Sequence, residues 1–182
     1  MSVYSVDKLI CEARRLAAAY RDTTGRPLAG VSGEISRYDA ARLLDLDLCT
    51  GESGFDAIGR SGERVGRRIQ IKARAIFDTG KSGQRIGQLK VDQTWDSIML
   101  VLLDERFEAF AIYEATRDAL AGELDRAVDS RRAKRGVMSV GRFKALGQLV
   151  WAREGAVDDG VWSNQAAIAV DGATIAGIGS ER

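Results

Sequence analysis

The chain has 182 residues, of which 45% are apolar and 29% charged, with a formal net charge of +1. That composition suits one soluble globular domain with a sizeable core and excludes a disordered or fibrous chain. No histidine occurs, so histidine triads, imidazole bases and histidine metal ligands are excluded; any catalysis must run on carboxylates, Lys, Arg, hydroxyls or a metal held by oxygen.

In chain order, "VDKLICEARRLAAAYRD" places apolar residues at 6, 9, 10, 13, 16, 17 and 20, the spacing of one helix face. The opening residues have no apolar stretch behind basic ones, so no signal peptide is expected. "TTGRPLAG", with the only proline, breaks the first helix. Helical spacing resumes in "VSGEISRYDAARLLDLDL" through Val31, Ile35, Tyr38, Ala41 and Leu44, with Ser32 as N-cap. Cys11 and Cys49 fall in these apolar patterns and read as core thiols; two cysteines are too few for a disulfide framework, and a reducing cytoplasm is the expected location.

"GFDAIG" reads as a short strand ending in a turn. "RRIQIKARAIF" alternates, putting Ile69, Ile71, Ala73 and Ala75 on one face and Gln70, Lys72 and Arg74 on the other. A Gly-rich loop, "DTGKSGQRIGQLK", follows. The continuous apolar run "SIMLVLLD" suits a strand buried on both faces. "RFEAFAIYEA" alternates again, "TRDALAGELDRAV" reads as a helix, and "SVGRFKALGQLVWARE" as a last amphipathic helix through Val140, Phe143, Leu146 and Val150. No run reaches the ~20 apolar residues of a membrane span. The expected architecture is α/β: a mixed central sheet of about four to five strands flanked by helices. It forms a single domain over 1–155, with its core at about 31–125 and a basic C-terminal helix at about 139–153. Residues 156–182 make an acidic Gly/Ala-rich tail containing at most a weak strand.

One arrangement carries chemistry. Asp56 sits on the short strand, and Gln70 and Lys72 share one face of the next. A carboxylate, an amide oxygen and an ammonium on one sheet face suit oxygen-ligand binding of Mg2+ beside a charge stabiliser. Glu34 adds a carboxylate from the preceding helix. A solvated cross-strand Asp–Lys pair is the bland account, contributing about 0–1 kcal/mol.

The order of Glu on a helix, Asp on a strand and Gln-x-Lys on the next strand resembles the PD-(D/E)XK nuclease superfamily. The resemblance covers roughly residues 31–115 and rests on Glu34, Asp56, Gln70 and Lys72. Two positions depart from the named motif: Phe55 stands where Pro is usual, and Gln70 where Asp or Glu is usual. The resemblance implies a restriction-endonuclease-like fold and a metal-dependent endonuclease using Mg2+ or Mn2+, with DNA the favoured substrate. In that scheme Asp56 holds the metal, the backbone carbonyl of Ile71 completes the inner shell, and Gln70 contributes its side-chain oxygen. Glu34 binds through water or joins a second metal. Lys72 positions the attacking water and stabilises transition-state charge. Asp56→Ala is then expected to abolish cleavage while leaving Tm unchanged or higher, as for a carboxylate held at a cost to the fold. The rival from another class is a non-catalytic nucleic-acid-binding or scaffold protein with the same fold.

Two further patterns compete. "AIFDTGKS" matches a phosphate-binding P-loop, but "GQRIGQ" stands where its helix should begin, so an ATPase is disfavoured. Lys81, Arg85 and Lys90 instead read as phosphate-contacting side chains beside the nuclease site. Residues 126–153 carry eight Lys/Arg against one Asp/Glu, including Arg131, Arg132 and Arg135. This segment fits a nucleic-acid contact, a homodimer helix or a solubilising face.

Overall fold

The computed structural model describes residues 5–50, 54–78, 84–87, 89, 92–129 and 138–155. The expected tail 156–182 and the basic residues Lys81, Lys90, Arg131, Arg132 and Arg135 lie outside the described residues. The chain begins with α1 (Val6–Thr24) and α2 (Val31–Leu44), then β1 (Leu46–Leu48), β2 (Ala57–Gly59) and a 3-10 turn at Gly62–Arg64. Next come β3 (Arg68–Ala75), β4 (Ser97–Leu103), β5 (Ala109–Thr116), α3 (Arg117–Asp129), α4 (Val140–Leu146) and β6 (Gln148–Ala152).

The fold is α/β: a mixed six-stranded sheet, ordered β1 to β6 as in the chain, flanked by four helices among the described residues. Neighbours are antiparallel except β3 and β4, which run parallel. The apolar run of β4 is buried at every residue, as a central strand covered on both faces must be.

Alternation along the strands feeds two cores. Ile69, Ile71, Met99, Val101 and Leu103 face α1 and α2, where Ala17, Ile35 and Ala40 cover them. Ile98, Leu100, Leu102 and Tyr113 face the other way, against Leu120 of α3 and Phe143 of α4. Fully burying one such Leu, Ile or Phe contributes about 1.5–3 kcal/mol, so these two layers dominate stability. The strand register has its own clamp: Asp96, just before β4, accepts the Arg68 backbone N–H at 2.8 Å and two guanidinium bonds at 2.9–3.0 Å. It therefore ties the start of β3 to the start of β4.

Several expectations change. The helical run at 31–48 stops at Leu44, because Asp45 takes a left-handed conformation and donates its N–H to the Ala41 carbonyl. Leu46–Leu48 then pair with β2 as an edge strand. Gly30 with positive φ, not Ser32, is the N-cap of α2, and no side chain caps it. The C-terminal helix expected at 139–153 is also two elements: α4 ends against Gly147, and "QLVWA" pairs antiparallel with β5. The sheet therefore has six strands where four to five were expected.

Only part of the apolar face of α1 enters the core. Ala17 is buried, but Val6, Leu9, Leu16 and Tyr20 are exposed. Arg14 anchors the helix by pairing with the buried Asp39 of α2 and donating to the Phe107 carbonyl. Cys11 is exposed and Cys49 half-buried, so neither is a core thiol. Among the described residues no helix is long and apolar enough to cross a membrane.

Candidate active site

The site forms where β2 parts from β3. Their antiparallel pairing has two rungs, Ala57↔Ile69 and Ile58↔Arg68. Beyond Ala57 the chain turns away through Gly54, whose φ of 106° favours glycine. A Cβ on Gly54 would also stand 2.8 Å from that of Gln93, so the turn is packed as well as bent. Strand β3 runs on to Ala75 with β4 on one side only. From Ile71 onward its other edge carries backbone groups without a ladder partner from β2.

Asp56 fills that fork. Its own N–H donates to the Ile69 carbonyl at 2.8 Å, and its carbonyl accepts the Cys49 N–H at 2.9 Å, so its backbone is held from both sides. The Oδ2 atom then accepts the Ile71 N–H at 2.7 Å. A strand residue sends its N–H and C=O from the same edge, so the Ile71 carbonyl faces the same fork.

Gln70 is 2% exposed. Its Nε2 donates to the Gly54 carbonyl at 3.1 Å, while its Oε1 is buried with no hydrogen-bond partner. Buried polar atoms nearly always find partners, so an orphaned amide oxygen needs an explanation. A ligand is one. Lys72 follows on the same strand face, half-buried, in register with Leu100.

Glu34 reaches the group through an intermediary that sequence reasoning missed. Arg37, one turn further along α2, donates from Nη1 to Glu34 Oε1 at 3.2 Å and from Nη2 to the Cys49 carbonyl at 3.1 Å. Its Nε lies 3.7 Å from Asp56 Oδ1. Glu34 itself is largely solvated, with 71% of its side chain exposed. The only signal for Arg37 in the sequence is its i+3 spacing from Glu34.

The structure thus joins Asp56, Gln70 and the Ile71 backbone at one fork and links Glu34 to them through Arg37. Among the described residues no three His, Cys, Asp or Glu side chains cluster as a metal site. The set here has two carboxylates, with an amide oxygen and a carbonyl as the other donors.

Of the expected nucleic-acid contacts, Arg85 alone is described. It is exposed, on a short segment that bridges to Ser139 and is tied through Gln84 to Arg74, beyond Lys72 on the same face. Three basic residues of the C-terminal segment are engaged within the chain. Arg142 pairs with Glu123, Arg153 with Asp104 and Glu108, and Lys144 lies over the Tyr113 ring. The P-loop pattern fares no better: residues 84–87, which follow its Lys-Ser, are not helical.

No protein-family model matches this chain, and comparison with curated proteins finds none significantly similar.

Proposed function

We propose that this chain is a metal-dependent endonuclease, cytoplasmic, of the PD-(D/E)XK type, hydrolysing phosphodiester bonds with DNA the favoured substrate. One observation carries the proposal: Asp56 has one oxygen fixed on the Ile71 N–H at the strand fork, and Gln70, the residue before Ile71 on the same strand, keeps a buried, unpartnered Oε1. The donor set is all oxygen, which suits Mg2+ or Mn2+. Asp56 Oδ1, the Gln70 oxygen and the Ile71 carbonyl would hold the cation, and Glu34 would join from the α2 side. A divalent cation there supplies Lewis-acid polarisation of the phosphodiester and a lowered pKa for an attacking water.

The chain's own groups do the rest. The Ile71 N–H fixes the rotamer of Asp56, and the Gly54 carbonyl fixes the amide of Gln70, so both ligands are oriented before substrate arrives. Lys72 orients the nucleophilic water and offsets negative charge on the transferring phosphoryl group. Orientation and electrostatics are its roles, since a lysine acting as base needs a strongly depressed pKa.

A second account is a nucleic-acid-binding or scaffold protein that keeps the fold without turnover. Arg37 favours it, because a guanidinium already stands between the two carboxylates. Nicking of supercoiled plasmid with Mg2+, with Mn2+ and with chelator separates the two. The expected result is metal-dependent nicking by the wild type and none by Lys72→Ala, which should still bind metal. No nicking by wild type on DNA or RNA would leave the binding-protein account.

A further inference from the structure

We infer that Arg37 is a positioning residue: the built-in counter-cation that holds Glu34 and Asp56 in the metal-free protein and gives way when a divalent cation binds. This rests on the metal-site proposal above. Three contacts define the guanidinium. Nη1 and Nη2 make ordinary hydrogen bonds, to Glu34 and to the Cys49 carbonyl. Nε is different: it is shut from solvent, has no hydrogen-bond partner, and stands 3.7 Å from Asp56 Oδ1. That separation is too long for a hydrogen bond, so charge alone holds this contact.

The geometry decides what the contact does. Asp56 Oδ2 is committed to the Ile71 N–H, which leaves Oδ1 as the atom available to a cation. Arg37 stands against that atom. An arginine serving only to brace α2 would satisfy its buried Nε–H. Here one buried donor is left unbonded opposite a carboxylate oxygen, while the two bonded nitrogens keep hold of α2 and the Cys49 loop. With Arg37 in place the two carboxylates have one positive partner between them. A divalent cation on Oδ1 faces that positive charge, so metal and guanidinium compete for Asp56. Arg37 thereby holds both carboxylates in place, at the cost of weaker metal binding.

The test uses Arg37→Gln in the full chain. Mn2+ affinity is read by isothermal titration calorimetry, and Tm is read in EDTA and at saturating Mn2+. Removing one positive charge about 5 Å from a divalent cation should tighten Mn2+ binding at least about tenfold, the figure for full screening by water. The variant should melt below wild type in EDTA, and that gap should close with Mn2+, because the metal replaces the lost counter-charge. Equal or weaker Mn2+ binding with the same Tm gap in both conditions would make Arg37 a brace only, leaving the metal site standing. No Mn2+ binding by wild type or variant would overturn the metal site and this inference with it. Should the variant fail to fold, wild-type protein is titrated with Mg2+ and followed by NMR. The Arg37 Nε–H signal is expected to move together with the Ile71 amide. Movement of Ile71 alone would refute the role of Arg37 and keep the site.

Discussion

Removing the Asp56 side chain tests both the fold and the chemistry. Asp56→Ala takes away the acceptor of the Ile71 N–H, a 2.7 Å bond to a charged oxygen at a strand edge with no β2 partner there. Such a bond contributes about 1.5–3 kcal/mol. The Asp56 side chain is 29% exposed, so water reaches part of the vacated space and the net loss falls to about 1–2 kcal/mol. The 3.7 Å contact with Arg37 adds about 0–1 kcal/mol. A loss near 2 kcal/mol should lower Tm by roughly 4–8 °C in a domain of this size. The sequence alone leads to the opposite expectation, an unchanged or raised Tm, because it shows a carboxylate among acidic neighbours and not the N–H that it caps. Differential scanning calorimetry in EDTA distinguishes them. Asp56→Asn separates hydrogen bonding from charge: its amide oxygen can keep the Ile71 N–H, so Tm should fall less, yet metal-dependent nicking should stop in both variants. Asp56→Ala melting at or above wild type would refute the hydrogen-bond reasoning. Asp56→Asn nicking at the wild-type rate would refute the site.

Three other perturbations follow from the same contacts. Gln70→Glu restores a negative ligand but loses the donor to the Gly54 carbonyl; Tm should fall by several degrees in EDTA and recover with Mn2+, and a variant destabilised equally in both conditions would count against Gln70 as a ligand. The Arg68 side chain, hydrogen-bonded to the Asp96 carboxyl, holds it at about 2 although burial opposes the shift. A depressed folded value means stabilisation present above the ordinary carboxyl range and lost as pH falls through the folded value. Asp96→Asn should therefore melt below wild type at pH 7, by a small margin for so exposed a pair. The two melting curves should converge between about pH 4 and pH 2, and a pH-independent gap would show that the clamp works by shape and not by charge. Gly59→Ala would place a Cβ 2.0 Å from the Arg64 carbonyl oxygen, a backbone atom that cannot swing aside. About 3 kcal/mol of stability should be lost, visible as a lower urea midpoint at unchanged slope, and a neutral outcome would mean that the 60–66 turn readily adopts another shape.

What the sequence disclosed depended on how much each residue's neighbours in the chain decide. β3, β4 and β5 were legible because alternation or continuous burial is written within each segment. The shared face of Gln70 and Lys72 was legible for the same reason, since strand parity alone puts 70 and 72 on one face; Asp56, expected on the short strand, instead lies just before β2. The edge strands were not. In "VGRFKALGQLVWA" the apolar spacing of α4 carries straight past Gly147 to Val150, and only pairing with β5 turns the second half into β6. In "LLDLDL" the helix stops at Asp45 because Leu46 has Gly59 across from it. Arg37 was illegible because its meaning lies in three partners from different segments, Glu34, Cys49 and Asp56, and only the first is a chain neighbour. The exposure of Leu9 and Leu16 could not be read either: helical spacing shows that a face is apolar, not how much of it the rest of the chain covers.

Because strand order follows chain order, the domain has an implied folding sequence. The steps from β1 to β2, β2 to β3 and β4 to β5 close short loops, whereas β3 to β4 and β5 to β6 must close residues 76–96 and 117–147. Loop-closure entropy is lost before a ladder returns anything, so the two long steps should come late and set the rate. The fork holding Asp56 against Ile71 lies wholly inside the first local group, between β2 and β3. The contact between Asp56 and Ile71 can therefore form before the parallel ladder and the last edge strand arrive. Mutations in β6 should slow folding or speed unfolding while leaving the native fork unaltered. Errors at Gly54 or Gly59, by contrast, act at the first step, on the segment assigned to the proposed chemistry.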